Sequence, residues 1–270
     1  MFTVLIKILS SYKRLYLSRW KVINSDVHII SFPKAGRTWL RMLIGVYLNE
    51  KFNLKIDSKN VSVIQNFHNL SEQIPKFSVT HWADPQFKHY KDVDIPTFFL
   101  RNKPLIFLIR DPFDVSKSFY HQFYSRGAKL KARNKREFPE KLEEFIFGDF
   151  GGFKSVIEYH KSIKSLENNY KGRILIIKYE DLKLNPENKL SELLSFINIE
   201  IDKNIVLKAV NFSTKDNLSK LEKAGLLNNY HFGGIGQNAK VRTESNLNLE
   251  IIEKYRMKYL EIKNEDPFYG

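Results

Sequence analysis

Two short stretches gather residue types suited to holding anions. The first runs Pro33-Lys34-Ala35-Gly36-Arg37-Thr38-Trp39. Gly36 permits a tight backbone turn, and a helical pattern starts at once after it. The first free N–H groups of such a helix, with the positive end of its dipole, form an anion site. Lys34 adds a mobile charge there and Thr38 a hydroxyl donor. A plain strand-to-helix turn with a surface lysine would read the same way. The GxxxxGK[ST] pattern is missing, which disfavours an ordinary P-loop NTPase. The second stretch runs from Arg110 to Ser118. A guanidinium at a strand end can hold a phosphate through two parallel bonds, and a hydroxyl two helical turns on can join it. The alternative is a structural ion pair of Arg110 with Asp111 or Asp114, with Ser118 facing solvent.

Elements of regular structure must carry these groups. His28–Phe32, Leu105–Ile109 and Ile174–Ile177 are apolar and rich in β-branched residues, and read as buried strands; Phe77–Thr80 is a shorter candidate. Helical patterns follow over Arg37–Leu48 and Pro112–Tyr124, and over Pro186–Ile197 after a polar turn. Asp111 before Pro112 is a helix start, with aspartate as N-cap and proline in the first turn. Strands alternating with helices predict a single-domain α/β fold with a parallel β-sheet flanked by helices. Ligands bind such sheets at the carboxyl ends of the strands, where both stretches fall. No repeat or Pro/Gly/Ser-rich linker divides the 270 residues.

Composition agrees with a soluble, folded, anion-binding chain. Hydrophobic residues make up 43% and charged residues 27%, and the net charge is +14. The absence of cysteine excludes a disulfide scaffold, cysteine-ligated metals and thiol catalysis. No convincing Asp/Glu/His metal cluster is visible. Residues 1–25 form a basic amphipathic segment, without a signal-peptide cleavage pattern, that either packs on the domain of residues 26–270 or makes peripheral membrane contact.

Taken together, SFPKAGRTWL, IRDPFDVSKSFYHQF and IKYEDLKLNPENKLSELLSFI resemble, in that order, three motifs of the cytosolic-type sulfotransferases that use 3′-phosphoadenosine 5′-phosphosulfate (PAPS). The resemblance runs from about His28 to Ile197. It implies a sulfotransferase with P-loop-like architecture, cytoplasmic, moving a sulfonate group from PAPS to an acceptor hydroxyl. It gives Lys34 the bridging oxygen and the transferred sulfonate. Ala35, Gly36, Arg37, Thr38 and Trp39 match the rest of the 5′-phosphosulfate loop, with Trp39 stacking near the adenine. Arg37 departs from the more frequent Ser or Thr, and is free to add charge to the loop or to pair with an acid outside it. Arg110 and Ser118 match the 3′-phosphate clamp, and Tyr179 a tyrosine near the nucleotide. Gly233 and Gly234 fall where the family closes a loop over the 3′-phosphate. The arginine expected there is missing, with Lys240 or Arg242 as replacements.

The family also places a histidine after a short strand, which makes His81 the candidate general base; its ordinary pKa near 6.5 suits proton removal at neutral pH. A histidine after a short apolar run is by itself more often structural, and the surrounding motifs give it this role. Phe123–Lys141, with seven Lys or Arg against two Glu, is either a lid or guide over the acceptor site or a solvated loop. The acceptor is a small molecule or a carbohydrate, and the oligomeric state stays open. Two rival readings are a P-loop kinase or NTPase, and a basic nucleic-acid-binding module. Neither a clear Mg²⁺-binding acid nor a helix-turn-helix, zinc finger or RNP-like motif supports them, and no nucleic-acid partner is expected.

Overall fold

The computed structural model describes residues 22–82, 84–95, 97, 99–125, 138–227 and 249–270. The sheet holds β1 (Val27–Ser31), β2 (Phe77–Thr80), β3 (Leu105–Ile109) and β4 (Ile174–Lys178). All pairs are parallel and the spatial order is β2-β1-β3-β4. The register sets His28 beside both Ser78 and Leu105, and Leu105 beside Ile174. From β1 the chain crosses to β2 on one side, then returns to β3 on the other. The order therefore reverses at the β1–β3 seam, the place where open parallel sheets bind ligands.

The alternation of side chains builds two cores. Ile29, Ile106, Leu108 and Ile177 point into one, and Ile30, Leu105, Phe107 and Ile109 into the other. The first core is covered by α1 (Arg37–Lys51), α6 (Pro186–Phe196) and α7 (Lys203–Phe212) through Leu40, Leu43, Leu190, Leu193 and Val206. The second is covered by α4 (Phe153–Asn169) through Val156, Tyr159 and Ile163. Both faces are buried, so the central strands read as unbroken apolar runs. Each fully buried Ile or Leu contributes about 1.5–3 kcal/mol.

Between the strands lie α2 (Pro112–Ser125) and α3 (Leu142–Ile146). Asp111 Oδ1 accepts from the amides of Phe113 at 3.0 Å and Asp114 at 3.1 Å, which is the N-cap the sequence predicts for α2. The segment after β4, expected as a polar turn, is itself helical: α5 (Tyr179–Leu184) precedes α6, and Asn185 with Pro186 separates the two. Its residues are polar because one side faces solvent, while Leu182 is buried. Beyond α7 come α8 (Lys215–Lys223) and α9 (Leu249–Lys263).

The helix that starts at the loop is held at both ends. Trp39 Nε1 donates to Ser213 O at 2.9 Å. Tyr47 Oη donates to Glu200 O at 2.7 Å and accepts from Asp202 N at 2.9 Å. In its middle, a Cβ on Gly45 would lie 1.7 Å from Val61 O, so only glycine lets the two backbones approach this closely.

Candidate active site

The β1 loop has the backbone of an anion cradle. Lys34 has φ 73° and Gly36 φ 101°, so two residues in the left-handed region bracket the buried Ala35. Alternating left- and right-handed residues turn successive N–H groups toward one concavity. Gly36 caps α1 without any side-chain hydrogen bond, and its carbonyl accepts from Trp39 N at 2.9 Å and Leu40 N at 3.2 Å. The amides of Arg37 and Thr38, which open α1 ahead of these two, have no carbonyl of their own helix to meet.

The ends of β3 and β4 close on this loop. Arg110 Nη1 donates to Lys34 O at 3.3 Å, and Nη2 lies 3.4 Å from Asp114 Oδ2. Its guanidinium sits 4.4 Å from the ring centre of Tyr179. The Asp114 pair is long, and Arg110 Nε is buried with no partner among the described residues. Asp114 and Ser118 are one turn apart on the same face of α2, so the buried Ser118 lies on the side of the helix that holds Arg110. The Tyr179 ring lies against Gly36, where a Cβ would come within 2.5 Å of Cδ2. It meets Trp39 edge-on at 5.8 Å. Lys34, Gly36, Trp39, Arg110 and Tyr179 thus form one connected group at the β1–β3 seam. Thr38 stands half-buried in the first turn of α1. Gly233, Gly234, Lys240 and Arg242 lie outside the described residues, as do most of the basic segment, Arg126 to Glu137, and residues 1–21.

His81 follows β2, and the bend after it is strained: Trp82 has φ 54° and Asp84 φ 50°. Its Nδ1 lies 2.9 Å from Ser31 O at the end of β1. Its Nε2 lies 2.8 Å from Arg37 Nη2. Two expectations change here. Among the described residues Arg37 pairs with an imidazole and not with an acid, because its side chain turns across the seam between β1 and β2. The ordinary histidine pKa does not apply either. Burial, then the Arg37 charge, lowers His81 to about 3. Arg37 itself is lowered to about 10, first by burial and then by Arg41.

Some supports escaped the motif reading. Glu180 Oε1 accepts from Asp111 N at 3.3 Å, and Glu180 Oε2 accepts from Tyr269 Oη at 2.6 Å. Lys178 Nζ donates to Phe268 O at 2.6 Å. Asp266, buried against His160 at 2.7 Å, caps the amides of Phe268 and Tyr269. The last residues thereby brace the ends of β3 and β4 from behind. Glu180, an acid at the first turn after a strand, was the one local signal. Among the described residues no group of three or more His, Asp or Glu is arranged to hold a metal ion.

A sulfotransferase domain model matches residues 24–246. This chain belongs to the sulfotransferase domain family. Among related proteins, Cytosolic sulfotransferase 12 of Arabidopsis thaliana is 24% identical over 233 residues, covering 78% of this chain and 68% of that protein. Flavonol 4′-sulfotransferase of Flaveria chlorifolia is 29% identical over 217 residues, covering 75% and 66%. The chain spans about two thirds of the length of these relatives. A mouse sulfotransferase crystallised with PAP is 20% identical, with a TM-score of 0.48 over 72% of this chain and 66% of the other. Arg37 and the glycine-rich 231–236 segment are this sulfotransferase's departures from the pattern its motifs resemble.

Proposed function

We propose that this sulfotransferase moves a sulfonate group from PAPS to the hydroxyl of a small-molecule acceptor. One observation carries the reading: Arg110 reaches across from the end of β3 to bond the carbonyl of Lys34 in the β1 loop. Two anion-holding groups on adjacent strand ends thereby face one seam, as a nucleotide with phosphates at both its 3′ and 5′ ends requires. The orphaned Arg110 Nε and the paired left-handed residues of the loop fit that nucleotide.

The nucleotide supplies a sulfonate bonded to a phosphate that leaves as a stable anion. The loop amides and Thr38 bind the 5′ end, and Arg110 with Ser118 binds the 3′-phosphate. Trp39 and Tyr179 supply aromatic surface beside them. Lys34 stabilises the charge that grows on the departing phosphate oxygen as its bond to sulfur breaks. His81 Nε2 takes the hydroxyl proton as the acceptor oxygen bonds to sulfur. Positioning both partners supplies much of the remaining rate.

Relatives named for a flavonol and an amine support a small-molecule acceptor, and relatives named cytosolic support a cytoplasmic enzyme. Among the described residues no helix is long and apolar enough to cross a membrane.

Thermal unfolding with adenosine 3′,5′-bisphosphate tests the reading, with ATP as the control. At about 100 times its dissociation constant the bisphosphate stabilises by roughly 2.7 kcal/mol, which raises Tm by about 5 °C in a chain of this size. An equal response to ATP, or none to the bisphosphate, overturns it.

A further inference from the structure

The hydrogen bonds of His81 define its protonation. A carbonyl oxygen only accepts, so Nδ1, at 2.9 Å from Ser31 O, carries the hydrogen. Nε2 is then a lone pair, and Arg37 Nη2 donates to it at 2.8 Å. The one basic atom of the candidate base is therefore capped by a cation. No proton can be accepted there until the guanidinium leaves.

Arg37 has reason to leave. It is the first residue of α1, immediately after the cradle glycine. Among the described residues, the charged and titratable groups that face it are Arg41 on its own helix and Tyr159 on α4, and Lys34 and Arg41 join it in facing His81. No carboxylate is among them. Arg37 Nη1 is buried without a partner among the described residues, and so is the Tyr159 hydroxyl. A guanidinium with an unfilled donor, a neutral partner and no counter-anion among the described residues stands at the mouth of an anion site. A phosphate offers charge-assisted, bidentate bonds that an imidazole does not.

We propose that Arg37 is a nucleotide-operated latch on His81, capping Nε2 in the nucleotide-free enzyme and releasing it when the 5′-phosphate end of the donor takes its guanidinium. The inference rests on the sulfotransferase reading above. Arg37 acts on the acceptor through His81 and so is a positioning residue. The base becomes available only in enzyme already loaded with donor, which orders proton removal after donor binding. Burial, then the Arg37 charge, holds His81 at about 3 while the latch is closed.

NMR titration of the ¹⁵N-histidine-labelled full chain tests this without turnover, because adenosine 3′,5′-bisphosphate carries no sulfonate. Without nucleotide, His81 remains the neutral Nδ1–H form across the range in which the protein stays folded. Saturating bisphosphate raises its titration midpoint by at least about one pH unit, a tenfold change in proton affinity. In Arg37→Ser the midpoint is already raised and nucleotide no longer moves it, while the bisphosphate Kd rises about tenfold through the lost contact. Binding measured by calorimetry with no change at His81 overturns the latch and leaves the sulfotransferase reading standing. No binding at all overturns both. If Arg37→Ser fails to fold, the wild-type titration alone decides.

Discussion

Replacing Gly36 by alanine tests the geometry on which the nucleotide site depends. Gly36 has φ 101°, and in this left-handed region a Cβ costs about 1–2 kcal/mol. The same Cβ would lie 2.5 Å from Cδ2 and 2.7 Å from Cε2 of Tyr179. Relieving that overlap by displacing the ring costs about 1–3 kcal/mol more. The sum is about 2–5 kcal/mol, and at about 2.1 cal/mol/K per residue this lowers Tm by roughly 4–9 °C. The ring cannot move alone, since Arg110 lies 4.4 Å from its centre and Trp39 meets its edge. Affinity for the bisphosphate therefore falls together with stability. The assay is thermal unfolding and calorimetric binding of Gly36→Ala in the wild-type and Tyr179→Ala backgrounds. With the ring removed, only the backbone part of the loss should remain. A Tm within about 1 °C of wild type with unchanged affinity refutes the cradle; an equal loss in both backgrounds refutes the ring contact.

Other changes probe separate parts. Lys34→Ala should lower kcat by about 10²–10³-fold, the usual worth of one charge-stabilising donor, while Tm changes little; a smaller loss of rate would remove Lys34 from the leaving-group role. Arg110→Lys keeps the charge and loses the planar fork, so bisphosphate affinity should drop about tenfold or more, and calorimetry giving the wild-type Kd would count against the clamp. Gly45→Ala places a Cβ 1.7 Å from Val61 O and should destabilise by at least about 1–3 kcal/mol in urea unfolding, since backbone stands on both sides. His28 is fully buried, and burial lowers its pKa to about 4. It is neutral when folded and takes up a proton near 6.5 when unfolded, so its contribution is intact above pH 6.5 and is lost as the pH falls toward 4. The slope is about 1.4 kcal/mol per pH unit. Urea unfolding at pH 7 and pH 5 should show the loss shrinking in His28→Gln, with His81 contributing in the same direction; an undiminished loss would acquit His28.

Much of this protein is written in short-range pattern. Strands buried on both faces need continuous apolar residues, so His28–Phe32 and Leu105–Ile109 announce themselves within a residue of the observed β1 and β3. Asp111 and Pro112 mark the start of α2 through local capping chemistry. Lys34, Gly36, Arg110 and Ser118 stand out as candidates because the phosphate binding proposed for these strand ends calls for particular residue types at fixed offsets. Helical propensity over Tyr179–Leu184 was hidden by its polar, half-exposed surface.

The pairings across the seam were not in the local pattern. The bond from Arg37 to His81 spans 44 residues, and the one from Arg110 to Lys34 spans 76. The brace from Tyr269 to Glu180 spans 89. Sequence alone determined the strands and named the candidate phosphate-holding residues at their ends, because both follow from chemistry within a few positions. Only the fold decided that the candidate base meets a guanidinium in place of water or an acid. That encounter depends on β1 lying between β2 and β3, and on burial that shields both groups from solvent.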